Sequence, residues 1–153
     1  METYTEPSLT FGEPVEGVDY EKRRSAFAII VNDGKIAVVH TPSGYSLPGG
    51  KIEGGETDKQ ALIREIDEEL GWTVAITDFL YTVDQYHYSE DEDKYYLTTG
   101  KFFEAKYFAT TAVPIEEDHT YAWLTLNKAE AELAPEYLRW AVQQYRMSNE
   151  LTI

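Results

Sequence analysis

Three features of this 153-residue chain predict an α/β fold, an α/β/α sandwich with a mixed β-sheet between helices. Runs rich in Val, Ile, Phe and Tyr recur between turn signals and read as strands. Two stretches, 57–71 and 135–146, instead carry apolar residues at helical spacing. Strands precede, separate and follow those helices, with no internal repeat or low-complexity linker, so a single domain over 1–153 is expected.

The elements follow in order. Ser25 to Val31 is a continuous apolar run. Asn32-Asp33-Gly34 supplies a turn into a partner strand, Lys35 to His40. Thr41-Pro42-Ser43-Gly44 breaks the chain before a short strand, Tyr45 to Leu47. Leu47-Pro48-Gly49-Gly50 and Gly54-Gly55 read as a tight loop whose glycines let the backbone approach an ion or phosphate. A helix then begins at Thr57, where Thr-x-x-Gln forms a capping box and Asp58 suits the positive end of the helix dipole. Leu62, Ile66 and Leu70, with Ile63 beside them, predict its buried face, and Gly71 its stop.

Val74 to Tyr88 reads as a bent or interrupted strand, and Ser89 to Asp93 as a solvated hairpin tip. Tyr95 to Leu97 and Lys101 to Phe108 continue the strand pattern, as does Thr120 to Leu126. Lys128 to Leu133 is a short helix. Pro135 opens a second one through about Arg146, with Leu138, Val142 and Tyr145 as its apolar stripe and Trp140 and Ala141 beside it.

Composition narrows the function classes. Hydrophobic content of 42% and aromatic content of 14% support a folded globule. The absence of cysteine excludes disulfides, thiolate metal sites and a cysteine nucleophile. No apolar run approaches the ~20 residues that span a bilayer, and Met1 to Glu6 lacks the basic and apolar regions of a signal peptide. A soluble, cytoplasmic protein is expected. The net charge of −15, from 28 acidic and 13 basic residues, opposes binding to nucleic acid or an anionic membrane.

The chemistry is concentrated between Gly50 and Trp72. Glu65, Glu68 and Glu69 lie within five residues, at spacings that share a helix face, with Arg64 just before them. Like charges so placed destabilise a helix unless a cation intervenes, and oxygen-only ligands suit magnesium, with manganese as a second option. The segment resembles the Nudix box, Gly-x5-Glu-x7-Arg-Glu-U-x-Glu-Glu-x-Gly-U, where U is a bulky apolar residue. Gly50, Glu56, Arg64, Glu65, Ile66, Glu68, Glu69 and Gly71 fill its defined positions without a gap. Trp72 fills the last, where Ile, Leu or Val is usual.

The resemblance implies a metal-dependent hydrolase of a phosphoanhydride bond in a nucleoside diphosphate linked to another moiety. It carries Glu65, Glu68 and Glu69 over as metal ligands, with the Gly50 carbonyl as a further one, and gives Arg64 the task of orienting the glutamates. Glu56 either ligates metal or anchors the loop; Asp67 has no place in the pattern. A distal glutamate before a late strand serves as base in MutT-type members, and Glu117, with Glu116 next, resembles it in placement before Trp123. Nucleotide binding draws on aromatics and cations, with Arg23, Lys51 and Tyr86 as candidates. Trp72 is expected in the core.

The partner expected is therefore a small nucleotide or nucleoside diphosphate derivative, with a homodimer left open. Signatures of ADP-ribose, diadenosine polyphosphate and NADH hydrolases are absent: His87 and Glu90 stand where a proline and a tyrosine would. A nucleoside triphosphate pyrophosphohydrolase of the MutT type is what remains. The alternative is a Nudix-fold binding or regulatory domain without turnover. Such domains typically lose box glutamates, and this chain has lost none.

Overall fold

Strand alternation along 25–31 lays down the two faces around which the chain is built. In the computed structural model, which describes residues 9–110 and 120–150, that segment belongs to β2, Glu21–Asn32. Ala26, Ala28 and Ile30 point to one side, and Phe27 and Ile29 to the other, all buried. The first side packs against α1, Asp58–Leu70, and the second against α3, Glu136–Glu150. This is the expected sandwich, with a small residue at alternate positions of β2 where α1 approaches.

Among the described residues the sheet has eight strands. Besides β2 they are β1 Leu9–Phe11, β3 Lys35–Thr41, β4 Gly44–Ser46, β5 Gly49–Lys51, β6 Trp72–Ser89, β7 Lys94–Thr110 and β8 Thr120–Thr125. The order is β1-β6-β7-β2-β3-β4, with β5 paired to β2 and β8 to β3. The sheet is mixed: β7 runs parallel to β2, and β1 to β6, while the remaining pairs are antiparallel. Asp33 and Gly34 both take positive φ (52° and 74°), the requirement of the tight hairpin turn between β2 and β3. Among the described residues no helix is long and apolar enough to cross a membrane.

Helix α1 forms as its sequence predicts. Thr57 Oγ1 accepts from Gln60 N (3.1 Å) and Gln60 Oε1 from Thr57 N (3.0 Å), closing the capping box. Gly71, at φ 67°, ends the helix in the left-handed conformation. Ala61, Leu62, Ile66 and Leu70 are buried, each large side chain worth about 1.5–3 kcal/mol. Ile63 is a correction: at 48% exposed it lies off that face, one helical step of ~100° round from Leu62.

Elsewhere the structure moves several boundaries. The segments expected at 95–97 and 101–108 are one strand, β7, because Gly100 marks close packing and not a break. A Cβ there would lie 2.8 Å from the Tyr137 ring. β6 bends as expected, with register shifts between Thr73 and Val74, Ile76 and Asp78, and Phe79 and Tyr81. The β6–β7 tip falls after Ser89, as predicted. The late helices are α2, Leu126–Glu132, and α3, which runs past Arg146. Trp72 is 4% exposed and packs among Tyr107, Tyr121 and Trp123.

The stretch read as a glycine loop contains a strand. β5 pairs Gly49, Gly50 and Lys51 with Phe27, Ala26 and Ser25. At Gly49 (φ 137°) a Cβ would sit 2.1 Å from the Ala26 carbonyl oxygen, so the strand fits only without a side chain there. Gly54 has nothing within 4 Å of such a Cβ. Gly49→Ala is therefore expected to lower the free energy of unfolding in urea by about 2 kcal/mol or more, whereas Gly54→Ala leaves it within about 0.5 kcal/mol. Equal midpoints in the two variants would rule out the close approach at β5.

Candidate active site

Arg64 is the centre of the site. It lies on the partly exposed flank of α1, and each of its N–H groups has an acceptor. Nε donates to Glu56 Oε2 (2.6 Å), and Nη2 to Glu56 Oε1 (2.9 Å) and the Lys51 carbonyl (3.1 Å). Nη1 donates to Glu65 Oε1 (3.0 Å) and Glu68 Oε2 (3.2 Å). These bonds use all five donors of a guanidinium. Three of the box carboxylates and the backbone of β5 thus meet at one planar group.

Glu56 makes the contacts of a loop anchor. Besides its two-point bond with Arg64, its Oε1 accepts from Glu53 N (2.9 Å), and its own N–H donates to the Glu53 carbonyl (3.1 Å). The hydrogen bond from Arg64 holds its carboxyl well down, from 4.5 to about 2. Reciprocally, Glu56 first, and then Glu65, keep the Arg64 proton on more firmly than usual, against the cost of burial.

The three candidate ligands have different surroundings. The Glu65 carboxylate lies against Gly50, where a Cβ would come within 2.8 Å of it, so a side chain at position 50 would push that carboxylate aside. Glu68 is the most open, with a third of its side chain exposed. Glu69 is buried at 7%, and its Oε1 accepts from Gly49 N (2.9 Å). Among the described residues no three acidic, histidine or cysteine side chains are already gathered as a metal cluster. Arg64 bonds both Glu65 and Glu68, and Glu69 turns inward to the backbone. Asp67 is exposed, as its lack of a role predicts.

Glu116, Glu117 and His119 lie outside the described residues. The other candidates divide between the two faces of the sheet. Arg23 stands on the α3 side, its guanidinium 5.1 Å from the centre of the Tyr96 ring and 3.7 Å from Glu92. Lys51 pairs with Ser25 and shares that side, its side chain exposed. The Tyr96 hydroxyl above all, and then the charges of Arg23, Lys94 and Lys51, hold the Glu92 carboxyl below the usual range. Tyr86 lies on the opposite face, edge-on against Tyr20 with 4.9 Å between ring centres.

A cleft of about 380 Å³ that the sequence reading did not find opens on the α3 side, lined by Gln85, His87, Pro135, Tyr137 and Arg139 among others. Gln85 reaches across from β6 to accept from Tyr137 N (3.1 Å) in the first turn of α3. His87 stacks on Tyr96 at 5.6 Å, and its Nε2 lies 2.8 Å from Thr98 Oγ1. Burial, and then the charge of Arg23, push its pKa down, so the ring is neutral near pH 7. The available signal was alternation: Gln85 and His87 put polar groups into the row that Val83 begins in the core.

The model of the NUDIX domain family matches residues 21–144. Among curated proteins, the chain is 37% identical over 59 residues to a CTP pyrophosphohydrolase of Escherichia coli K12, covering 35% of this chain and 44% of that protein. It is 40% identical over 60 residues to an 8-oxo-dGTP diphosphatase of the same organism, covering 35% and 46%. The chain thus spans under half the length of these relatives. Among solved structures, a MutT protein from Methanosarcina mazei Go1 superposes with a TM-score of 0.68 at 24% identity, covering 87% of this chain and 99% of that one. A NUDIX hydrolase from Nitrosomonas europaea does so at 0.67 and 19%, covering 84% and 90%. At these identities the structures share the fold.

Two measurements test the Arg64 centre. Lysine offers three donors on a point charge, so Arg64→Lys loses the two-point bond to Glu56. It is expected to cost about 1–3 kcal/mol in urea unfolding. Arg146→Lys, at a pair of 2.8 Å with Glu130 nearer the chain's end, is expected to cost under about 1 kcal/mol. Acid should release the same contact. Because the folded pKa of Glu56 is depressed, its contribution is complete above pH 4.5 and lost as pH falls toward about 2. The difference in urea midpoint between parent and Glu56→Gln should therefore close across that window; a difference unchanged down to pH 2 would contradict the assignment.

Proposed function

The chain belongs to the NUDIX family, and from that premise we propose that it is a magnesium-dependent hydrolase that cleaves a phosphoanhydride bond in a nucleoside triphosphate. The observation that carries the reading is the intact box drawn together at Arg64, with Glu56, Glu65 and Glu68 all bonded to one guanidinium. The pyrophosphohydrolase and diphosphatase named above supply the substrate class.

The donor set suits a hard divalent cation. Glu65 and Glu68 are acidic and partly exposed, at 14% and 33% of their side chains, and the glycine at position 50 leaves room for the Glu65 carboxylate beside it. Glu65, Glu68, Glu69 and the Gly50 carbonyl are the groups assigned to hold magnesium, with manganese as a substitute. When bound, the ion neutralises phosphate charge and lowers the pKa of coordinated water. Arg64 orients Glu65 and Glu68 and limits their mutual repulsion. Glu69 holds the backbone of β5 through Gly49. Glu117 is assigned the base that accepts the proton of the attacking water.

The cleft at Gln85, His87 and Tyr137 is assigned to the nucleoside. It has aromatic and polar walls of the kind that orient a small ligand, and Arg139 and Arg23 bring positive charge to that side of an otherwise acidic protein. Lys51 and Gly50 are adjacent on β5 and serve opposite faces, and that strand is assigned to the phosphate chain.

A panel of nucleoside triphosphates with magnesium, assayed for released pyrophosphate and phosphate, tests the activity. Glu68→Gln should lose manganese affinity and turnover while keeping the parental melting temperature. Glu117→Gln should lower kcat about 10²–10⁴-fold with a smaller change in KM, and regain part of it as pH rises and hydroxide replaces the base. Parental kcat in Glu117→Gln would remove that residue from the mechanism, and manganese binding unchanged in Glu68→Gln would overturn the ligand set.

A further inference from the structure

The layer between α1 and the sheet is apolar, built from Ala26, Ala28, Ala61, Leu62, Ile66 and Phe103. Lys101 nevertheless stands in it. From β7 its Nζ lies 3.2 Å from Oδ2 of Asp58, the first residue of α1, with 12% and 13% of the two side chains exposed. Thr82 pairs with Lys101 in the β6–β7 ladder and is 1% exposed, and its Oγ1 has no hydrogen-bond partner. Taking two charges out of water cancels most of their attraction, so such a pair adds little stability over an apolar pair of the same shape. An apolar pair, however, lets two packed layers slide or pivot, and an ion pair with a defined oxygen and nitrogen does not.

The register says what is being fixed. Lys101 is opposite Ala26 in the β2–β7 ladder, and Ala26 is opposite Gly50 in the β2–β5 ladder. Lys101 and Gly50 therefore belong to one row across the sheet. At its other end α1 is fastened to the neighbouring row, where Glu69 accepts from Gly49 N at 2.9 Å. Asp58 and Glu69 are about 16 Å apart along the helix, and the Glu65 carboxylate rests on Gly50 between them.

We propose that Lys101 is a positioning residue: through Asp58 it holds the first turn of α1, so that Glu65 and Glu69 keep their places on Gly50 and Gly49. Without it the helix pivots about the Glu69–Gly49 contact and the box carboxylates shift relative to β5. The effect on turnover rests on the hydrolase reading given above; the effect on the backbone does not. A displacement of about 1 Å at a catalytic group is enough to cost on the order of 10²-fold in rate.

The test uses Lys101→Met, Asp58→Asn and the double variant. Lys101→Met removes the ion-pair partner of a mostly buried carboxylate, whose Oδ1 keeps the Lys59 N–H at 2.8 Å, and is expected to destabilise the fold. The double variant removes both charges at nearly constant shape, so its melting temperature should return close to the parent's. In that double variant, free of metal, the Gly49 amide should exchange with solvent about tenfold faster or more. With a nucleoside triphosphate, kcat should fall about tenfold or more while KM changes less than about twofold. A purely structural pair predicts otherwise: restored stability with parental Gly49 exchange and parental kcat in the double variant would overturn the proposal. If the parent turns over no nucleotide, the proposed activity fails on its own account, and Gly49 exchange alone decides the role of Lys101.

Discussion

Arg64 couples three parts of the chain that would otherwise be independent: the loop before α1, the exposed flank of α1 and the backbone of β5. Three carboxylates brought close on a helix and its preceding loop repel one another. A guanidinium relieves that repulsion because its planar fork reaches several oxygens in fixed directions, which an ammonium on a flexible stem cannot do. The consequence appears in Glu56, whose acidity is raised by the same contact that places it. The loop is thus ordered by electrostatics at the point where it leaves β5.

Glycine makes the second part of the site. At Gly49 the chain passes so close to Ala26 that no side chain fits, and at Gly50 the Glu65 carboxylate occupies the space a Cβ would take. Gly100 serves the opposite face in the same way, admitting the ring of Tyr137 from α3. Backbone approach, more than loop freedom, is what these residues contribute. It brings helix carboxylates down onto one side of the sheet and an aromatic ring onto the other, and it lets two short rows of β2 and β5 carry contacts to both.

The protein as a whole is strongly acidic, and on the α3 side Arg139 lines the cleft together with Glu136, while Arg23 stands 3.7 Å from Glu92. An anionic ligand approaching against a net charge of −15 needs local positive charge. Neutral His87 and the side-chain amide of Gln85 add hydrogen-bonding groups without further negative charge.

What the sequence by itself determined is local. The cap at Thr57 and Gln60, the stop at Gly71, the turn at Asp33-Gly34 and the apolar stripes of α1 and α3 depend on neighbours within a few residues, and the spacing of the box residues is linear information by definition. The two faces of β2 were legible for the same reason, since alternation is a property of the strand. Tertiary structure decided the rest. Gly49 to Lys51 became a strand because β2 lay beside it, and Gly100 belonged to a strand interior because Tyr137 needed room. Glu69 turned inward to a backbone amide twenty positions earlier, and Gln85 met α3 from more than forty residues away. Contacts of that separation depend on which strands are neighbours and in what register, and no local propensity encodes either.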